Sequence, residues 1–328
     1  MKTKDKVGMG GKIILSRFFS MRKPLFVSWA LTNRCNLNCS YCGISSKIGK
    51  EMTTSQALKL IDEMKKAGTK RVSLIGGEPL LREDINVIVN TLKKKEFHIT
   101  ITSNGILVPE KIDLIKKIDL LKLSYDGPKH IHEKNRGNKT YGFFLNALNK
   151  SRKNKINTIL NTTITKNNKR VLEKLVLFAE KRNVNIKFQP TSNIYSFQKD
   201  ISGLSLNPKC SVRIGQKLME LKKKYRNIIN SRASIEYLFM HKRKTPKKCP
   251  AGNILCKISA EGDIYPCTVK QYSEKKISAM VNGFQKAFQE LDNTPCDNCM
   301  CSSTQELTNL YNFKIDSLIN VVKTPLLK

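Results

Sequence analysis

Four histidines, one tryptophan and 26 acidic residues are all that this 328-residue chain has of those types. None of the histidines stands beside a motif, so the sequence names no general base. No apolar run reaches the ~18–20 residues of a membrane-spanning helix. No secretory signal is visible either, so the ten cysteines are expected in a reducing cytosol, where they serve metal or redox chemistry rather than disulfides. The scarcity of acid leaves 60 Lys and Arg to set a net charge of +34. Such a charge suits nucleic acid, anionic lipid or an acidic substrate. The cations are dispersed, however, in runs such as Lys93-Lys94-Lys95, Lys116-Lys117 and Lys222-Lys223-Lys224, each on the polar side of a predicted helix. With no clustered basic and aromatic module, the charge reads as solvated surface, and nucleic acid is not an expected partner.

The most telling absence is a fourth cysteine beside Cys35-x3-Cys39-x2-Cys42. Thiolates are the usual ligands of iron–sulfur clusters, and four of them close a cubane off as an electron carrier. Three on one loop leave an iron open to a small molecule. Structural zinc usually pairs one C-x2-C knuckle with another further on. The run Asn33-Arg34-Cys35-Asn36-Leu37-Asn38-Cys39-Ser40-Tyr41-Cys42 resembles the signature of the radical SAM superfamily, including the aromatic residue before the last cysteine. That resemblance implies a catalytic [4Fe–4S] cluster on Cys35, Cys39 and Cys42. Its open iron chelates S-adenosylmethionine (SAM), which an electron splits into methionine and a 5′-deoxyadenosyl radical. A reductant such as flavodoxin or ferredoxin is then a required partner.

From Pro24 onward short apolar runs alternate with helical ones. Strands are predicted over 25–31, 71–75, 97–102, 120–124, 157–165 and 185–189. Helices are predicted from the Thr53/Thr54 cap to Gly68 (with Ala57, Leu58, Ile61 and Met64 inward) and over 84–95, 109–118, 140–155 and 169–182. Repeated strand-then-helix units argue for an α/β fold, a parallel sheet curled into a partial (β/α)6 TIM-like barrel. Chemistry in such folds lies at the carboxyl ends of the strands. There the sequence places Gly76-Gly77-Glu78-Pro79, Ser103-Asn104-Gly105 and Ser124-Tyr125-Asp126-Gly127. Each could be an ordinary turn. The two glycines would also let backbone approach a ligand, and Glu78 can accept from a cation. Asn161, polar in a strand expected to be buried, needs a partner. The resemblance, which covers roughly residues 24–190, implies that Tyr41 packs by the adenine. It also implies that Gly76, Gly77, Glu78, Ser103, Asn104, Ser124, Asp126 and Asn161 help to seat SAM.

After Gln189-Pro190 the alternation stops, and a basic helix is expected from about Cys210 to Tyr225. Then come Cys249-Pro250-Ala251-Gly252, Cys256, a hairpin through Glu261-Gly262-Asp263 ending at Cys267, and Cys296-x2-Cys299-x-Cys301. Cys249, Cys267, Cys296 and Cys299 can bring four thiolates together. Zinc competes here, since the last pair has knuckle spacing. The words Cys-Pro-Ala-Gly and Gly-Asp-Ile-Tyr-Pro-Cys resemble the twitch or SPASM appendages of radical SAM enzymes, which implies an auxiliary [4Fe–4S] cluster on those four residues. Cys256 and Cys301 are left over, as ligand substitutes or core packing. Cys210, alone on the basic helix, reads as packing.

Expected domains are a basic amphipathic segment (1–23), the barrel (24–190), a linker and helix (191–245), the twitch/SPASM-like unit (246–302) and a C-terminal helix (303–328). Residues 12–23 and 313–327 mix apolar bulk with cations, which suits either helices closing the open barrel or peripheral contact with an anionic membrane. With only some two dozen residues before the first strand, a fused peptide-recognition domain is not expected. The expected function is hydrogen abstraction from a small-molecule, lipid or sugar-type substrate, the auxiliary cluster aiding electron transfer. Two alternatives stay open: a peptide maturase that borrows a separate recognition protein, and a non-enzymatic cluster or zinc protein that binds RNA.

Overall fold

The computed structural model describes residues 13, 16–18, 22–46, 49–192, 200–240, 248–272, 275–296 and 299–317. The segments that suit either closing the open barrel or meeting a membrane, 12–23 and 313–327, lie in large part outside these. Of what is described of them, Ser16 is buried with its hydroxyl 3.2 Å from that of Tyr311, while Phe18 and Phe313, both exposed, stack on one another at 5.8 Å. Among the described residues no helix is long and apolar enough to cross a membrane.

Six parallel strands run in chain order: β1 (Phe26–Thr32), β2 (Arg71–Gly76), β3 (His98–Ser103), β4 (Leu120–Ser124), β5 (Thr158–Ile164) and β6 (Asn185–Pro190). The crossovers are α1 (Thr54–Lys66), α2 (Ile85–Lys94), α3 (Ile112–Ile115), then α4 (Lys129–Arg136) with α5 (Thr140–Lys153), and α6 (Leu172–Glu180). Thr53 and Gln56 form a reciprocal capping box at the start of α1, whose buried stripe is Ala57, Leu60, Ile61 and Met64. Leu60 rather than Leu58 completes the stripe, as the i, i+3, i+4, i+7 rule requires. The helix expected over 109–118 shortens to α3, and α4 was not foreseen: two of its four buried residues are Asn135 and Arg136, so it shows no apolar stripe.

Along each strand alternate side chains face opposite ways. Outward residues such as Val72, Leu74, Ile99, Ile101, Leu121 and Leu123 form the main core under the helices. The inward face is polar above a small apolar plug of Leu120, Ile159 and Ile229.

The last third of the chain adds α7 (Pro208–Lys224), α8 (Arg232–Phe239), β7 (Leu255–Ile258), β8 (Asp263–Tyr265), β9 (Ile277–Ser278), α9 (Ala279–Asn282), α10 (Phe284–Gln289) and α11 (Ser302–Tyr311). The expected hairpin forms as β7–β8, but it does not stand apart. β7 pairs parallel with β1, Phe26 opposite Leu255, so the sheet reads β6-β5-β4-β3-β2-β1-β7-β8-β9. The hairpin lies against β1 because Cys256, Ile258 and Ile264 carry the main core past it.

Candidate functional site

The loops after β1 to β4 meet at one end of the sheet. The cysteine loop is held by its neighbours: Ser40 N–H donates to Asn135 O at 2.8 Å, and Asn104 Nδ2 donates to Asn36 Oδ1 at 2.8 Å. Cys35, Cys39 and Cys42 lie within electrostatic reach of one another. Burial pushes the Cys39 thiol up to about 11, with the Arg136 charge opposing, and raises Cys35 as well. Such thiols shed their protons when a cation arrives to replace them.

A Cβ on Gly76, at φ +134°, would fall 2.2 Å from Thr32 O, and one on Gly77 would fall 2.1 Å from Arg34 O. The space is taken by protein backbone, where the sequence suggested approach to a ligand. Gly77 N–H donates to Thr32 O at 2.8 Å and Glu78 N–H to Arg34 O at 2.9 Å, so the glycines dock the end of β2 on the cysteine loop.

Glu78 is fully buried, accepting from Asn104 N at 2.8 Å and Leu80 N at 3.2 Å. Burial pushes its carboxyl up to about 7, although these bonds and one from Ser103 pull it down. Since 7 lies above the ordinary 4.5, the stability this group contributes is full at low pH and lost as pH rises through 7. Glu78→Gln keeps an acceptor and removes the charge. It is expected to raise the melting temperature of the cluster-free protein at pH 8, by on the order of 2–3 kcal/mol in stability, and to change little at pH 5. An equal loss of melting temperature at both pH values would contradict a buried carboxylate ionised at a cost.

Asp126 is engaged by the protein itself. Its carboxylate, wholly buried, accepts from Arg136 Nε at 2.8 Å, Tyr41 Oη at 2.7 Å and Thr163 N at 3.3 Å. Expected to seat SAM, it spends its acceptors on the protein because Arg136, 8% exposed, needs a countercharge. The Tyr41 ring lies 5.6 Å from the Arg136 guanidinium, so the aromatic residue of the cysteine loop is clamped from below. His132 accepts from Asp126 N at 3.3 Å through Nδ1, and burial, with the nearby Arg136 charge, pushes its pKa down to about 4. Ser103 and Ser124 are buried at their strand ends, and Asn161 pairs in register with Ser124 on one side and Lys187 on the other. Arg136, Asn135 and His132 escaped the sequence reading; the one signal was Arg136-Gly137 closing a segment too polar to pack unless its polar groups find partners.

The second cysteine field gathers. Cys249, Cys267, Cys296 and Cys299 line one cavity, and Cys301 joins them as a fifth. Burial pushes Cys249 up to about 12 and raises Cys267 and Cys299, neighbouring cysteine charges adding to it. Cys301 goes the other way. Burial opposes its thiolate, but hydrogen bonds from Thr304 and Ser303 at the start of α11 and the Lys187 charge bring it down overall. Among the described residues no three Cys, His, Asp or Glu side chains close round a point as a single metal ion requires; the five cysteines line a space instead. Cys256 is elsewhere, fully buried on β7 opposite Val27 in the main core, and Cys210 packs against the same core. The donor chemistry of both fields, thiols and no imidazole, fits iron–sulfur clusters.

Residues 29–179 match the family model described as the Radical SAM superfamily. The Fe-coproporphyrin III synthase of Methanosarcina barkeri is 31% identical over 165 residues, which are 48% of this chain and 41% of that protein. The chain thus spans well under two thirds of that relative's length. The AdoMet-dependent heme synthase of the same organism is 26% identical over 271 residues, 74% of this chain and 76% of that one. Among solved structures, Streptococcus suis SuiB bound to S-adenosylmethionine superposes with a TM-score of 0.70 at 15% identity, covering 84% of this chain and 68% of SuiB. Native anSMEcpe with bound AdoMet gives 0.68 at 20% identity, covering 82% and 81%. These likenesses show a shared fold.

Proposed function

We propose, from the premise that the chain belongs to the radical SAM superfamily through residues 29–179, that it cleaves SAM reductively and abstracts hydrogen from a small-molecule substrate. The observation that carries this reading is the three-cysteine loop docked by Gly76 and Gly77 against a buried, donor-ringed Glu78 at the strand ends. A cluster held there would supply the electron for reductive cleavage of SAM.

The remaining chemistry belongs to the chain. Cys35, Cys39 and Cys42 would hold the cluster. Glu78, ionised, accepts the SAM ammonium, its position fixed by Asn104 and Leu80 N–H groups. Ser103, Asn104, Ser124 and Asn161 line the same end of the sheet, and Asp126 with Arg136 holds Tyr41 and thereby the loop. The inner face of the curled sheet would keep water and stray hydrogen donors from quenching the radical. A small-molecule substrate is supported by the relative aligned over most of its length, a heme synthase. The cysteines round the second cavity would hold an auxiliary [4Fe–4S] cluster, which would supply an electron acceptor there, and a flavodoxin or ferredoxin would be the reductant.

Reconstituted under anaerobic conditions, the chain is expected to carry about eight irons, two four-iron cubanes, and to release 5′-deoxyadenosine from SAM once reduced. The triple variant Cys35→Ala, Cys39→Ala, Cys42→Ala should retain about half of that iron, read by metal analysis and electron paramagnetic resonance. Zinc retained in place of iron would make the second field a structural knuckle and end the auxiliary-cluster reading.

A further inference from the structure

Parallel strands covered on both faces ordinarily read as continuous apolar runs. Here the inward face carries four cations, Arg71 on β2, Lys122 on β4, Lys187 on β6 and Lys257 on β7, of which Lys257 has a partner of its own. Lys187 is 2% exposed and donates to Ser303 Oγ of α11 at 2.9 Å. Lys122 is half-buried and has neither hydrogen bond nor ion pair among the described residues. After burial, the charges acting most against Lys122 are Lys187 and Arg71, and Arg71 acts on Lys187 too.

The acidic groups within reach are already engaged. Asp119, which faces Arg71, accepts from Ile99 N at 2.8 Å and pairs with Lys93; Glu306, which faces Lys187, accepts from Ser231 N at 2.7 Å. Cys301 faces both lysines. Buried charges are kept where a partner compensates them, and this face offers more positive charge than the chain answers.

Register locates the group. Asn161 lies level with Ser124 and Lys187, and Lys122 lies two residues below Ser124 on β4. At about 3.3 Å per residue, the Lys122 position is roughly 7 Å beneath the rim where SAM would be seated. A ligand anchored there would hold its far end at the rim.

We infer that Lys122, Lys187 and Arg71 bind an oxyanionic group of the substrate, carboxylate or phosphate, on the inner face of the barrel. The inference rests on the proposed radical reading for where the substrate lies. It separates from that reading in the test, because no readout involves SAM.

The protein to use is the iron-reconstituted holoenzyme at fixed ionic strength, with inorganic pyrophosphate and citrate as probes, binding measured by calorimetry. Wild type is expected to bind at least one of them; whichever binds tighter assigns phosphate or carboxylate. Lys122→Met should weaken that binding at least tenfold and Lys122→Arg should largely keep it, while the exposed control Lys217→Met leaves it unchanged. A second measurement needs no variant: acetic anhydride labelling of Lys122 in wild type, read by mass spectrometry, should fall when the probe is present. No binding by wild type, an equal loss in Lys217→Met, or labelling of Lys122 indifferent to either probe overturns the inference. Binding seen in cluster-free protein and lost in holoenzyme overturns it too, since the lysines would then serve the charge of the auxiliary cluster.

Discussion

Cys39→Ala is expected to reduce 5′-deoxyadenosine release from reconstituted protein to the rate of a no-enzyme blank, while the protein still melts cooperatively close to wild type. Cys39 is the most buried of the three loop cysteines. Its backbone carbonyl accepts from Cys42 N at 3.1 Å, so the loop's turn does not depend on its sulfur. What the substitution removes is a thiolate, and no other cysteine or histidine of this loop can replace it. Iron analysis should show the loss of about four irons, one cubane. Release of deoxyadenosine at the wild-type rate would remove the loop from the reaction altogether.

Asp126→Ala is the second large effect, and it acts through stability. Burial opposes the Arg136 charge, and Asp126, followed by Tyr41 and Cys39, more than restores it. Removing one partner of a buried pair leaves the other uncompensated, which costs about 3–5 kcal/mol. Urea denaturation should show a fall of that size. Asp126→Ala combined with Arg136→Met should recover a substantial part, because the orphaned guanidinium is gone. A double variant as unstable as the sum of two single losses would mean that the pair is not coupled. Tyr41 loses its hydroxyl partner in both, so the cysteine loop should take up iron more slowly in each.

The alternation of β1 to β6 with their helices was legible because outward strand positions and helix stripes are both apolar at their own periods. The rim motifs were legible as words: Gly76-Gly77-Glu78 sits where its strand ends. Their reasons were not. That Gly77 serves backbone contact with Arg34, and that Asp126 answers a buried arginine ten residues on, are facts of packing that no local pattern carries. The docking of β7 on β1 was hidden for the same reason, since a four-residue strand does not announce its neighbour. Lys122 and Lys187 did leave a trace, as lysines inside Leu-Leu-Lys-Leu-Ser and Asn-Ile-Lys-Phe-Gln, strands too apolar for a solvent-facing cation. Cys301 could be counted in the sequence but not placed.

The pairing of β1 with β7 bears on how the chain folds. Phe26 meets Leu255 across 229 residues, so β1 keeps that edge open until the chain has been made through β7. Pairing at such separation is slow to form, and an unpaired strand edge is a template for association with other chains. A chain stopped after α8 would retain every barrel crossover and still present Trp29's strand uncovered. It should be recovered as aggregate or chaperone-bound, whereas the full chain closes that edge with its own last third.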